Sequence, residues 1–145
     1  MLIEFDSSDT IEGVIRTATT TSEHFGEDFE PQVRPADPRF GDFQANGVLP
    51  FAKKANINPR ELAQKLMDAL PQTDLWETSI AGPGFINFKL SPSYFLQWLE
   101  KFADTESIQN AVQTEKPQKV VVDFSGPNTA KQMHVGHIRS TIIGE

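Results

Sequence analysis

The sequence contains no cysteine, and among its 145 residues only two are Trp, one is Tyr and three are His. The lack of cysteine excludes disulfides and thiolate metal sites, which is compatible with a reducing compartment. No apolar run approaches membrane-spanning length, and the first residues lack the basic start and apolar stretch of a secretion signal. We therefore expect a cytoplasmic protein without membrane attachment.

Positive charge is also scarce. The chain carries 13 Lys and Arg against 20 Asp and Glu, a net charge of −7, and residues 1–50 hold ten acids against three bases. Proteins that bind nucleic acid by neutralising phosphates are normally basic. Any contact with RNA must therefore be local and depend on shape, or be shared with a part of the protein outside this chain.

Local patterns in the first two thirds of the chain predict an α+β domain with an antiparallel sheet. A helix is expected near residues 9–23 and a short strand at residues 32–34. Asn58-Pro59-Arg60-Glu61 is typical of a helix start, with Asn as N-cap and Pro at the first helical position. The runs 75–80 and 85–90, joined by a Gly-Pro-Gly turn, predict a hairpin with one wet side.

Three further predictions concern helices and a linker. Asp42 is expected to cap a helix running to Ala55, although Pro50 then falls inside it. Ser91-Pro92 is expected to open a helix whose broad aromatic stripe belongs to the core. That stripe comprises Tyr94, Phe95, Trp98, Leu99 and Phe102. Residues 104–118 are polar and are interpreted as a linker.

Residues 125–137 combine a Gly/Pro/Asn turn with two histidines around a glycine. They follow a strand-like run, 120–124, and precede a helix-like run, 138–143. In open α/β sheets this order places ligands at the carboxyl end of the strand, and a helix N-terminus offers unpaired N–H groups to an anion. The layout indicates a phosphate-handling site.

The side chains of this stretch suit a nucleotide and an amino acid. His134 and His137 lie three residues apart and can donate to phosphate oxygens, with Lys131 as a mobile cation beside them. Asn128 and Asp123 can hold an amino acid's charged groups. Each residue also has an ordinary interpretation, as an exposed helix histidine, a solvated lysine or a turn former. No metal site is predicted, because His-x-x-His without an acidic or thiol partner is weak evidence for zinc.

Taken together, these residues resemble the arginyl-tRNA synthetase family of class I aminoacyl-tRNA synthetases. The family pattern is an acidic residue and an aromatic, then Ser-[small]-Pro-Asn-x-Ala-Lys-x-x-His-Val-Gly-His-x-Arg-[Ser/Asn]-Thr. The chain matches it at Asp123, Phe124, Ser125, Pro127, Asn128, Ala130, Lys131, His134 to His137, Arg139, Ser140 and Thr141. Gly126 departs from the usual Ser or Ala. Two upstream stretches, 40–46 and 81–87, resemble hallmarks of the family's extra N-terminal domain.

The resemblance implies an arginine–tRNA ligase that uses ATP, normally with Mg²⁺, to activate arginine and transfer it to arginine tRNA. The arginine-binding residues it implies are Asp123, Gly126, Pro127, Asn128 and His137. The ATP-binding residues it implies are Lys131, His134, Gly136 and His137, of which Lys131, His134 and His137 are also the catalytic candidates.

The resemblance also implies a domain division. Residues 1–115 form an additional domain that binds the tRNA D-arm, and residues 116–145 form the first β-α unit of a Rossmann-type catalytic domain. We expect the chain to be an N-terminal fragment, monomeric and inactive alone, because the rest of the sheet and the second nucleotide motif are not in it.

In the N-terminal domain, Phe40, Phe43, Gln44 and Asn46 are the predicted tRNA contacts, since aromatic stacking and edge recognition are the usual means of reading unpaired bases. The alternative is that both aromatics are core residues. Two other functions stay open: a free-standing RNA-binding module without catalysis, and another class I synthetase or nucleotidyltransferase.

Overall fold

The computed structural model describes residues 3–113, 119–121, 132, 135, 139, 142 and 143. The chain divides into two compact units, Met1–Gln113 and Thr114–Glu145. The elements of the first unit are α1 (Ser7–Thr20), β1 (Val33–Pro35), β2 (Phe43–Ala45), α2 (Val48–Ala55), α3 (Pro59–Ala69), β3 (Trp76–Ala81), β4 (Phe85–Leu90), α4 (Pro92–Lys101) and α5 (Thr105–Ala111). The four strands form one antiparallel sheet in the order β1-β2-β4-β3. The predicted α+β class is confirmed.

Capping residues set the starts of the helices. Asp6 accepts a hydrogen bond from the backbone N–H of Ser8 at 2.8 Å and begins α1, slightly earlier than predicted. Asn58 accepts from the N–H of Arg60 at 3.0 Å, with Pro59 at the first helical position, as predicted for α3. These bonds satisfy donors that have no partner within a helix. None of the helices in residues 3–113, or among the few residues described beyond them, is long and apolar enough to cross a membrane.

The predicted hairpin is confirmed. Strands β3 and β4 pair antiparallel from Trp76 opposite Leu90 to Ala81 opposite Phe85. Gly82 and Gly84 have φ of 54° and 141°, values that favour glycine, and so they form the turn. The inner face of β4 is part of the main hydrophobic core, which collects residues of the sheet and of helices α1 to α4. Its fully enclosed side chains include Ile11, Ile15, Val48, Leu62, Leu66, Ile86, Phe88 and Tyr94.

The prediction of a helix starting at Asp42 is wrong. Phe43–Ala45 form β2, which lies between β1 and β4, and the helix begins only at Val48. Because β2 pairs with a strand on each of its edges, this pairing outweighs the preference for a helix cap at Asp42, which depends on neighbouring residues only. Pro50 then falls in the first turn of α2, where its missing N–H has no intrahelical partner to lose.

The aromatic stripe of α4 is only partly core. Tyr94 is fully enclosed and Phe102 is 6% exposed, whereas Phe95 and Leu99 are 50% and 56% exposed. Tyr94, Trp98 and Phe102 recur every four residues and therefore form one stripe. The Trp98 indole N–H donates to the carbonyl of Phe5 at 3.0 Å. Phe95 and Leu99 form a second stripe, which is about half exposed. The periodicity therefore predicts a wider buried face than the structure has.

The interpretation of residues 104–118 as a linker is wrong at Thr105–Ala111, which form α5. Asp104 caps this helix by accepting from the N–H of Ser107 at 2.8 Å. In the second unit, Val135, Arg139, Ile142 and Ile143 have helical backbone, while 119–121 are not in a strand. The remainder of the predicted strand and helix of that unit lies outside the described residues.

Candidate functional site

The predicted ATP and arginine site falls on positions outside the described residues and remains a prediction from sequence. Those positions are Asp123, Gly126, Pro127, Asn128, Lys131, His134, Gly136 and His137. The predicted tRNA contacts, in contrast, all lie in the first unit, where the structure describes their surroundings.

A loop between β1 and β2, residues 36–42, carries the first of these contacts. The N–H of Ala36 donates to the carbonyl of Asp42 at 2.9 Å, and the N–H of Phe40 donates to the carbonyl of Asp37 at 2.8 Å. These two bonds close the loop at its base and at its tip. These bonds give the loop a defined backbone shape.

Asp42 ties this loop to β4. Its backbone N–H donates to the carbonyl of Phe88 at 2.8 Å, and its carboxylate accepts from the N–H of Leu90 at 2.7 Å. Asp42 therefore does act as a cap, but for the end of a strand and not for a helix. A carboxylate that accepts a backbone N–H makes a stronger bond than a neutral acceptor.

Gly41 makes this close approach possible. Its φ is 133°, and a Cβ added to it would lie 2.7 Å from the carbonyl oxygen of Phe88. Both the conformation and the space exclude an ordinary side chain. The glycine lets the loop pass close to β4 immediately after Phe40.

At the loop tip, Arg39 and Phe40 form an exposed pair. The Phe40 side chain is 50% exposed, and the Arg39 guanidinium carbon lies 5.5 Å from its ring centroid. Asp37 accepts from Arg39 Nε at 3.0 Å and from Nη2 at 2.9 Å. These bonds lower the pKa of Asp37 and raise the pKa of Arg39. The guanidinium is thus held by Asp37 beside an accessible aromatic ring.

A polar row crosses the outer face of the sheet. Arg34 pairs with Gln44, Gln44 pairs with Asn87, and Asn87 pairs with Ser79. Paired residues of antiparallel strands share a face, so the four side chains lie side by side. Gln44 Nε2 donates to Asn87 Oδ1 at 2.7 Å. Asn87 is only 4% exposed although it lies on the outer face.

The predicted tRNA contacts therefore differ in their surroundings. Phe40 is at the surface and Gln44 belongs to the polar row. Phe43 pairs with Phe88 on the inner face and packs, half-buried, against the core. Asn46 is half-buried, and its N–H donates to the carbonyl of Gln32 at 3.3 Å. The burial of Phe43 is what the alternative interpretation expects for that residue.

Sequence reasoning placed Asn87 on the wet side of the hairpin but missed its pairing with Gln44. The two residues are 43 positions apart in the chain. Alternation along β4 identifies the face on which Asn87 lies, and nothing local identifies its neighbour. The register between β2 and β4 supplies that neighbour.

An open groove of about 650 Å³ runs past the loop tip and the outer face. Residues of several kinds line it, including Ser79, Asn87, Lys89, Arg39, Phe40 and Phe95. Its charges are mixed, because Asp42 and Glu77 also contribute. Such a wall suits stacking and hydrogen bonding to exposed bases better than neutralisation of a run of phosphates. No group of three or more potential metal ligands occurs in residues 3–113 or at the few later positions described.

Two family models match the chain. The model described as "Arginyl tRNA synthetase N terminal domain" covers residues 8–90, and the model described as "tRNA synthetases class I (R), catalytic domain" covers residues 102–145. Together they define a class I aminoacyl-tRNA synthetase. The chain belongs to the arginyl-tRNA synthetase family.

Individual relatives agree with this membership. The chain is 51% identical over 127 residues to an arginine–tRNA ligase of Picosynechococcus sp., covering 83% of this chain and 21% of the relative. It is 47% identical over 137 residues to the ligase of Pseudoalteromonas translucida, covering 93% and 23%. The crystal structure of arginyl-tRNA synthetase from Plasmodium falciparum aligns with a TM-score of 0.67 at 30% identity, covering 94% of this chain and 26% of that one. The chain thus spans about a fifth of the length of the curated relatives it matches.

Proposed function

We propose that the first unit binds the D-arm of arginine tRNA and that the chain is the N-terminal part of an arginine–tRNA ligase. The observation that carries the first half is the exposed Arg39–Phe40 pair on a loop fixed to β4. The ring of Phe40 is half-exposed, and the loop that carries it is held in one place by backbone bonds. The ring suits an unpaired base, because base–aromatic stacking contributes about 1–3 kcal/mol per base.

The polar row supplies the recognition that stacking lacks. Every base has a π-face, so stacking on Phe40 tolerates any sequence. The amide of half-buried Gln44 offers a donor and an acceptor, which are what a base edge requires, while buried Asn87 holds it in place. Their mutual hydrogen bond at 2.7 Å orients both side chains before RNA arrives. Orientation in advance reduces the entropy lost on binding.

The second half of the proposal concerns chemistry that the complete ligase performs. The arginine carboxylate attacks the α-phosphorus of ATP, forming arginyl adenylate and releasing pyrophosphate. A terminal ribose hydroxyl of the tRNA then attacks the adenylate carbonyl and releases AMP. We propose that His134 and His137 stabilise the charge that develops during the first step, as donors positioned at the phosphates and not through a covalent intermediate.

The first experiment measures tRNA binding by the chain at several salt concentrations. It compares arginine tRNA with a D-loop variant and with an unrelated tRNA. We expect selective binding that is lost in the D-loop variant and weakened about tenfold by Phe40→Ala, as removal of one stacked base would give. Leu96→Ala serves as the control, because Leu96 is 62% exposed in the same unit and does not line the groove.

Two outcomes count against the proposal. Binding that follows salt alone and ignores the D-loop sequence contradicts specific recognition by the first unit. Detectable tRNA-dependent pyrophosphate exchange by the 145-residue chain contradicts the expectation that it is inactive alone. The RNA-binding module without catalysis differs from the ligase in a further test, since only the ligase loses aminoacylation when His134 and His137 are replaced in the complete protein.

A further inference from the structure

Phe95, on α4, is a second exposed aromatic ring in the groove that Phe40 lines. Sequence periodicity predicts it as a core residue, yet its side chain is 50% exposed, the same fraction as Phe40. Fully burying such a ring contributes about 1.5–3 kcal/mol. Much of that contribution is absent for Phe95 in the free protein.

The ring of Phe95 is nevertheless held in place. Its centroid lies 5.8 Å from that of Tyr94, with the two rings at 88°. Tyr94 is completely enclosed, and its hydroxyl donates to Thr10 at 3.3 Å. Ser91 caps the same helix turn by accepting from the N–H of Tyr94 at 3.3 Å. An edge-to-face contact with a buried, hydrogen-bonded ring restricts how Phe95 can turn.

The rest of the groove wall argues for a polar, planar occupant. Ser79, Asn87 and Lys89 are among the residues that line it, and Asn87 is already bonded to Gln44. An apolar protein surface placed over Ser79 and Lys89 would cover polar residues without offering them partners, which is costly. Unpaired bases offer both an aromatic face and hydrogen-bonding edges, so they suit both parts of the wall.

The exposed apolar residues of α4 are not all equivalent. Leu96 and Leu99 are 62% and 56% exposed, but neither lines the groove. Phe95 alone among these three joins Phe40 there. This separation provides a control on the same helix.

We propose that Phe95 is a second stacking platform for tRNA. One unpaired base of a tRNA loop stacks on Phe40, and a second unpaired base of the same loop stacks on Phe95. This inference rests on the proposed tRNA-binding function. The occupant is an RNA loop with two splayed bases, because two accessible rings line one groove of mixed charge.

The test is a titration of the chain with an arginine tRNA transcript carrying 2-aminopurine, placed in turn at each unpaired D-loop position. The variants are Phe95→Leu, which keeps apolar bulk without the ring, Phe95→Tyr, which keeps the ring, and Leu99→Ala as control. We expect Phe95→Leu to weaken binding about fivefold or more and to remove the fluorescence quenching at one position. Phe95→Tyr and Leu99→Ala should leave both unchanged.

Each other outcome overturns something specific. If Phe40→Ala weakens binding and Phe95→Leu does not, this inference fails and the proposed function stands. If Phe95→Leu and Leu99→Ala weaken binding equally, α4 contributes a general apolar surface of the kind that contacts protein, and the stacking platform is wrong. If the unaltered chain does not bind the transcript, both proposals fail. Urea midpoints matching that of the unaltered chain exclude unfolding as the cause of any loss.

Discussion

The two faces of β4 place adjacent residues in opposite environments. Ile86 and Phe88 are fully enclosed against the helices. Asn87, between them, lies on the outer face and is nearly enclosed as well. It lies between the flanking strands β2 and β3 and accepts a hydrogen bond from Gln44. One face is held by apolar packing and the other by a defined polar contact.

This difference separates what the fold requires from what the proposed function requires. Apolar side chains of similar volume are tolerated best on the inner face, since the hydrophobic effect has no direction. The outer face depends on donors and acceptors at fixed positions.

The largest expected effect is on the inner face. Phe88→Ala should lower the free energy of unfolding by about 3–5 kcal/mol, because it removes a fully enclosed ring and leaves a cavity. Lys89→Ala, one residue along on the exposed face, should change it by less than about 0.5 kcal/mol. Urea unfolding followed by circular dichroism measures both. Similar losses for the two variants would mean that the faces do not differ as described.

The glycine that lets the loop approach β4 should give the next largest effect. Gly41→Ala should cost about 1–3 kcal/mol of stability, because φ near 133° suits glycine and the new Cβ would meet the carbonyl of Phe88. Gly13→Ala is the matched control, since an added Cβ there meets nothing within 4 Å. Gly13 lies inside α1, so alanine should stabilise by about 0.5–1 kcal/mol. Effects of the same sign would contradict this assignment.

On the outer face the effect should appear in binding more than in stability. Asn87→Ala removes the amide that orients Gln44, and we expect tRNA affinity to fall about tenfold, because a single misplaced base-edge contact costs roughly 1–3 kcal/mol. Glu77→Gln, on the same face, should not weaken binding. Filter binding at fixed salt, alongside urea unfolding, separates the two effects. A loss of stability as large as that of Phe88→Ala would make Asn87 a structural residue.

The smallest effect concerns the ion pair at the loop tip. Arg39 lowers the pKa of Asp37, so the pair stabilises the folded form above the unfolded pKa of about 3.9 and that contribution is lost as pH falls through the lower folded value. Both groups are exposed, and the change should be slight. Asp37→Asn should therefore differ from the unaltered chain near neutral pH and match it in strong acid. A titration of Asp37 by NMR at its ordinary pKa would exclude the effect.

Local signals predicted the elements whose causes are local. The start of α3 follows from Asn58 and Pro59, and the hairpin follows from Gly82 and Gly84, since capping and turn formation involve neighbouring residues only. The strand β2 was not predicted, because its stability comes from pairing with β4, more than forty residues away. Asp42 was therefore assigned to the wrong partner.

The candidate interface was predictable in part for the same reason. Phe40 and Gln44 were identified from the sequence, whereas the pairing of Asn87 with Gln44 required the strand register. Phe95 was assigned to the core, since periodicity shows that a face is apolar and not whether anything covers it. Exposure is a property of the assembled unit, and only the structure supplied it.

The bond between Asp42 and Leu90 has a consequence for geometry. Phe40 precedes Asp42 by two residues, and the helix of Phe95 starts just after Leu90, at its cap Ser91. The positions of the two rings are therefore linked through the bonds of Asp42 to Phe88 and Leu90. An RNA loop that reaches both rings would be selected by the spacing of its splayed bases as well as by their identity. Lengthening or shortening the chain next to Asp42 would change the spacing that is selected.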